Sequence, residues 1–255
     1  MKLLACLALP LSTLCLAQVV PPVTPSGRIV IALYSDAGTS SSIDKVKLAL
    51  ASFPDLEVKP VTAEAISNGA LKGADVLLHS GGSGGGQGRA LGEKGRHAER
   101  AFIAGGGGYV GICAGAYLAT CEYDWSLHIL DAKVVDRQHW ARGTGAVEIA
   151  LSAEGRKLLD TKASTQSIEY FQGPLLAPAG DPEVPDFTPL ATFATEIAKK
   201  GAPSGVMIGT TAVASGAYQK GRVIVFSPHP EKTQALWKQL HRAVLWAAKR
   251  LPSSE

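Results

Sequence analysis

Charge is scarce in this sequence, and neither sign dominates. Charged residues make up 18% of the chain, and 25 Lys and Arg against 22 Asp and Glu leave a formal net charge of +3. Without a basic cluster, a nucleic-acid partner has no electrostatic footprint, and a polybasic membrane patch is missing too. Aromatics are few, at 6%. Beyond residue 17 no apolar run is long enough to cross a bilayer. A hydrophobic share of 46% excludes a disordered tail, and the 28 glycines do not fit a coiled coil. What is present, in 255 residues, suits an α/β protein with one sizeable core.

Residues 1–17 have the layout of a secretory signal peptide. Met1-Lys2 gives a positive start, and the apolar run 3–16 is broken only by Pro10, Ser12 and Thr13. Small Ala17 ends the run, followed by Gln18 and a proline-rich lead, 18–27. The run is short for a bilayer span and Pro10 interrupts it, so cleavage after Ala17 and a periplasmic or extracellular mature protein are expected. Lipidation at Cys15 is disfavoured by the bulky Leu14 before it.

Cleavage would remove Cys6 and Cys15 and leave only Cys113 and Cys121. These stand eight residues apart across a predicted turn and helix. A helical rise of about 1.5 Å per residue separates their Cα atoms by roughly 10 Å or more, beyond disulfide reach. At least one should be a free thiol.

From residue 28 the pattern alternates. Strands are expected at 28–34, 56–61, 74–79 and 108–112, and helices at 42–51, 63–71, 90–104 and 116–120. Short connections between them argue for a parallel sheet covered on both faces. Glycines at 81, 82, 84, 85, 86 and 88 read as a flexible loop. The second half is richer in strands, expected at 127–135, 146–151, 166–171, 190–195, 211–218 and 223–227, with a hairpin at Lys220-Gly221. A final amphipathic helix is expected over 232–251. No repeat or linker divides residues 28–255, so one domain is expected.

Two segments carry chemistry. Gly111-Ile-Cys-Ala-Gly115 follows a buried strand and precedes a helix, and small neighbours allow the sharp turn that lifts a nucleophile into an exposed, strained position. The helix N-terminus aims amide donors at the sulfur, which favours the thiolate. Ser227-Pro-His-Pro-Glu231 follows another buried strand. Prolines on both sides of His229 fix its backbone, and Glu231 is near enough to orient the ring, the third role in a nucleophile–base–orienter triad. Taken singly, the first segment suits a small core cysteine equally well, and the second is more often a surface loop than a site.

Together the segments resemble class I glutamine amidotransferases, and more closely the N-terminal domain of biotin–protein ligases. The stretch from Gly105 through Gly111-Ile-Cys-Ala-Gly115 to Ala119 is similar to that family's cysteine segment. Tyr170-Phe-Gln-Gly-Pro174 resembles its Tyr-x-Asn-Gly-Pro element, with Gln172 in place of Asn, and His79-Ser-Gly-Gly82 resembles its Pro-Gly-Gly loop. The resemblance, spanning roughly 28–250, implies an open, mostly parallel sheet with helices on both faces, the flavodoxin-like three-layer architecture. It implies Cys113 as nucleophile, His229 as base and Glu231 as its orienter. It also implies an oxyanion hole from the amide of Ala114 and one of Gly81 or Gly82, with Tyr117, Tyr170, Gln172 and Gly173 at the substrate. Many amidotransferases carry Gln where Tyr117 stands, which argues against glutamine as substrate. No ligase or synthetase domain is expected to follow, so released ammonia would have no acceptor here.

Other patterns are weaker. Gly106-x-Gly108-x-x-Gly111 precedes its strand, whereas a dinucleotide fingerprint follows one. The 81–88 loop lacks the Gly-Lys-Ser/Thr ending of a phosphate cradle. His79, His97, His128, His139 and His241 show no metal-ligand spacing, and neither metal nor cofactor is implied. Two readings follow: an exported Cys-His-Glu hydrolase of a small-molecule or peptide amide, or a non-catalytic binding module on the same scaffold.

Overall fold

The computed structural model describes residues 27–251. The expected signal peptide and all but the last residue of the proline-rich lead lie outside the described residues.

Four strands and four helices follow the predicted alternation. They run β1 (Ile29–Tyr34), α1 (Ser42–Ala51), β2 (Leu56–Val61), α2 (Ala63–Ser67), β3 (Val76–His79), α3 (Gly84–Ala104), β4 (Gly108–Ile112) and α4 (Ala114–Ala119). The second half adds β5 (Ala132–Val134), β6 (Thr144–Leu151), α5 (Ala153–Leu159), β7 (Thr165–Phe171), β8 (Leu176–Pro178), β9 (Thr188–Phe193), β10 (Thr211–Tyr218), β11 (Gly221–Phe226) and α6 (Trp237–Ala247).

The main sheet has the order β2-β1-β3-β4-β11-β10-β9-β6-β7. Strands β2, β1, β3, β4 and β11 are parallel, while β11 through β7 pair antiparallel. The sheet is therefore mixed: half parallel, with an antiparallel half that the predicted hairpin at 218–221 already required, since a two-residue turn admits no crossover.

Alternation along the parallel strands feeds two cores. Ile31, Leu33, Val110, Ile112, Ile224 and Phe226 pack with buried residues of α1 and α6 on one face. Ala32, Tyr34, Leu77, Tyr109, Val223 and Val225 pack on the other with those of α2, α3 and α4. Strands buried on both faces read as continuous apolar runs, which is how the sequence showed them.

Several expectations shift, each for a local reason. The glycine stretch at 81–88 is no flexible loop: α3 begins at Gly84, with the Ser83 hydroxyl accepting from the Gly86 N–H at 3.0 Å. Its glycines serve close packing, since a Cβ on Gly88 would lie 2.1 Å from the Trp125 carbonyl oxygen. Of the strand expected at 127–135 only β5 forms. Leu127 and Ile129 instead donate backbone bonds to Leu118 and Ala119 of α4 at 2.7 and 3.1 Å. Helix α5 was not anticipated, although Ser152 caps it by accepting from the Gly155 N–H; β8 was also missed. The last helix starts at Trp237, because Pro230–Lys232 and Gln234–Leu236 form 3-10 turns. No helix among the described residues is long and apolar enough to cross a membrane.

Candidate active site

Cys113 stands between β4 and α4 with φ 52° and ψ −95°, an unusual conformation for a residue with a side chain. Its neighbours explain how that is tolerated. A Cβ on Gly111 would lie 2.6 Å from the Gly115 carbonyl oxygen, and one on Gly115 would lie 2.5 Å from that of His79. The flanking glycines therefore let the chain fold back on itself, and the Cys113 N–H continues the sheet by donating to Phe226 at 2.8 Å. The Cys113 thiol donates to the Phe171 carbonyl at 3.5 Å.

His229 leaves the end of the neighbouring strand β11. Its ring is 3% exposed and its Nδ1 lies 2.6 Å from Oε1 of the fully buried Glu231. The indole N–H of Trp237 donates to the Glu231 carbonyl and holds the turn. Phe171 packs edge-on against the imidazole, its ring centroid 5.4 Å away. Burial works against a charged imidazole here. Hydrogen bonding and charge from Cys113 and from Glu231 outweigh it and raise the His229 pKa to about 10. Nε2 is nonetheless buried without a hydrogen-bond partner among the described residues. Catalytic hydrogen bonds are often made only when substrate binds.

The remaining predicted residues divide between the cavity and its supports. A cavity of about 610 Å³ opens over Cys113, and Gly82, Tyr117 and Gln172 line it. The Tyr117 hydroxyl is already spent, donating to the Gln172 carbonyl at 3.2 Å. Gly82, at φ 144°, is pressed against the Gly38 carbonyl, where a Cβ would lie 2.1 Å away. Gly81 faces the histidine instead: a Cβ there would meet His229 Cε1 at 2.7 Å. The bonds tying this loop down use the Gly81 carbonyl and the Ser83 amide, and no acceptor among the described residues engages the Gly81 or Gly82 N–H. The Ala114 amide opens α4 and so lacks an intrahelical acceptor. Tyr170 is fully buried away from the cavity, its hydroxyl donating to Gly173 at 2.9 Å. Gly173 packs against the Ser227 carbonyl, where a Cβ would come within 1.9 Å. Tyr170 and Gly173 thus shape the base of the histidine loop and are not among the residues that line the cavity.

Sequence reasoning missed three groups. Phe171 touches both Cys113 and His229. Behind the glycine loop, buried His79 bonds to Gln87 Oε1 at 2.9 Å and Glu99 Oε1 at 3.0 Å, and Gln87 Nε2 donates to the Ser80 carbonyl at 3.1 Å. The resemblance had drawn attention to residue 79 only as part of a loop. The third is Cys121, His128 and Asp181, whose potential ligand atoms lie within 4.8 Å of one another. Burial, then Asp181, pushes the Cys121 thiol up to about 12, and that thiol donates to Leu130 while His128 Nε2 bonds the Tyr123 carbonyl. The chain separation of Asp181 from the other two left no spacing signal. Both Cys113 and Cys121 are free thiols.

This architecture, with a cysteine elbow after one central strand and a histidine after its neighbour, is the class I glutamine amidotransferase-like fold. Within it, residues 29–141 match the family model described as "Biotin-protein ligase, N terminal", a stretch that contains Cys113 but ends before His229. Among solved structures, a glutamine amidotransferase is 17% identical, with a TM-score of 0.59 over 86% of this chain and 98% of that one. A putative ThuA-like protein from Parabacteroides merdae is 11% identical, with a TM-score of 0.60 over 89% and 92%. A cytoplasmic protein from Salmonella typhimurium is 10% identical, with a TM-score of 0.56 over 86% and 98%. No curated protein matches the sequence. Identities this low speak for the fold alone.

Proposed function

We propose that this protein is an exported cysteine hydrolase of amide C–N bonds. One observation carries the reading: a positive-φ cysteine at the floor of a cavity adjoins a buried histidine whose far nitrogen is held 2.6 Å from a buried carboxylate. Cys113 Sγ bonds to the amide carbon, and the oxyanion forms beside the free N–H groups of Ala114 and Gly82. The C–N bond then breaks while the nitrogen takes a proton from His229, which a pKa near 10 keeps charged at neutral pH. Water hydrolyses the thioester, releasing a carboxylic acid and regenerating the thiol. Glu231 keeps Nδ1 occupied and steadies the charged ring.

The leader-like run at 3–17 supports export, and N-terminal sequencing of protein secreted by its host should begin at Gln18. The chemical test is amine or ammonia release from a library of amides. Turnover by wild type that Cys113→Ala abolishes sustains the hydrolase. Silence across the library, with an unreactive Cys113, would leave a binding module on an amidotransferase scaffold.

A further inference from the structure

The charges that line the cavity are all of one sign. Among the described residues, Arg89 and Arg137 are its only ionisable side chains apart from the cysteine and tyrosines, and no carboxylate lines it. Arg89 makes no ion pair among the described residues. Arg137 spends one nitrogen on Glu122 at 3.3 Å and lays its guanidinium over the Tyr123 ring, 4.6 Å from the centroid. A guanidinium has five N–H donors, so most remain free for an anion.

Beside these cations is an unusually aromatic wall for a chain with so few aromatics. Tyr123 and Trp125 stack at 4.3 Å and 14°, and Trp140 and Phe171 stand at the rim, 55% and 37% exposed. A single exposed aromatic needs no explanation, but several gathered at one cavity mark a surface that a ligand covers. The loop carrying Arg137 and Trp140 is not loose. Asp136 accepts from fully buried Arg142 at 2.5 Å and from both the backbone and the ring of His139. Burial opposes the Asp136 carboxylate, yet those hydrogen bonds and the nearby charges hold it below the usual carboxylate range. The wall is therefore positioned before any ligand arrives, which limits the ordering cost of binding.

We propose that this cavity takes a small N-acylated aromatic amino acid: an amide bearing a carboxylate for the arginines, a flat apolar group for the aromatic wall, and no ammonium. A free ammonium would sit beside two cations with no acid to pair it. The volume, about 610 Å³, suits a molecule of that size. On the hydrolase reading, on which this substrate class rests, cleavage consumes water and yields a carboxylic acid and the free amino acid.

Binding is measured by calorimetry on the full chain carrying Cys113→Ala, so that recognition is read without chemistry. The probes are N-acetylphenylalanine, its neutral carboxamide and free phenylalanine. N-acetylphenylalanine should bind about tenfold or more tightly than either of the others, since charge-assisted hydrogen bonds are lost in one and an unpaired ammonium is added in the other. Adding Arg89→Gln and Arg137→Gln together should erase that preference, whereas Trp140→Ala should weaken acid and carboxamide alike. Equal binding of acid and carboxamide, or a preference that survives loss of both arginines, overturns the assignment. Selective binding by Cys113→Ala, with no amine released by wild type, would sink the hydrolase and leave the cavity's preference standing. Wild-type hydrolysis of neutral amides without that preference would do the reverse.

Discussion

The backbone N–H of His229 donates to the carbonyl of Glu169 at 2.8 Å. Two residues further along the same strand, the Phe171 carbonyl accepts from the Cys113 thiol. Strand β7 therefore sets the separation of Cys113 and His229, although it is remote in sequence from both. It reaches that place only because the sheet is mixed. The parallel half delivers Cys113 and His229 on adjacent strands β4 and β11, and β7 closes over them from the far edge. The structural role of the Tyr170-Phe-Gln-Gly-Pro174 element follows from this geometry. Tyr170 and Gly173 bind the strand end to Ser227, and Phe171 and Gln172 are left facing the site.

The two thiols should differ sharply in reactivity. Cys121 is pushed up to about 12 by burial and Asp181, so at pH 8 only about one molecule in ten thousand carries its thiolate. Iodoacetamide should modify Cys113 about a hundredfold faster than Cys121, as read by peptide mass spectrometry over time. His229→Ala should slow Cys113 alone. Equal rates at the two sites would remove the case for an activated nucleophile.

Stability should fall at alkaline pH through His229. Its folded pKa, about 10, lies above the ordinary 6.5, so the folded state binds the extra proton. The contribution is fully present below pH 6.5, declines above it, and is gone once the pH passes about 10. Urea unfolding at pH 6 and pH 10 should show a larger loss for wild type than for His229→Gln, which has no such proton. Parallel losses in the two proteins would mean the ring is not held charged.

Free glutamine should be a poor substrate even with a reactive thiol. Tyr117 fills the position at which many amidotransferases carry Gln, and its hydroxyl is committed to Gln172. Among the described residues no acid lines the cavity to meet the α-ammonium group. Unpaired buried polar groups cost about 1–3 kcal/mol each, so two such losses amount to roughly thirtyfold or more in binding. Ammonia release should be near background for wild type, and Tyr117→Gln alone should recover only part of the loss, because the ammonium still lacks a partner. Robust turnover by wild type would show that neither feature excludes the amino acid.

How much of this could be read beforehand follows from sequence distance. The elbow and the Pro-His-Pro-Glu turn were legible because each packs its constraint into five consecutive residues. Strands β1, β3, β4 and β11 were legible because burial on both faces leaves nearly continuous apolar runs. By contrast, the 81–88 glycines looked like a loop because glycine's freedom in φ and its service to close packing leave the same letters. Gly88 is needed against the Trp125 carbonyl, a contact made only after folding. The 127–131 run is apolar enough for a strand, but its amides are satisfied by α4. Arg89, Arg137 and Trp140 carried no pattern at all until the fold gathered them around one cavity.

Gly81 offers a test that separates positioning from stability. An added Cβ would lie 2.7 Å from His229 Cε1 and 2.9 Å from Ser42 Oγ, both inside contact distance. The ring must move, and it cannot move far while Glu231 holds Nδ1 and Glu169 holds the backbone. Overpacking of this kind costs about 1–3 kcal/mol of stability. A displacement near 1 Å at a catalytic group costs about a hundredfold in rate. Gly81→Ala should therefore lower Cys113 alkylation and any amide turnover by about that factor, with a modest fall in urea midpoint. Gly88→Ala is the comparison, since its Cβ would meet the Trp125 carbonyl at 2.1 Å, remote from the imidazole. It should destabilise at least as much and leave the alkylation rate of folded protein unchanged. If both variants lose reactivity in proportion to lost stability, then Gly81 supports the fold without positioning the base.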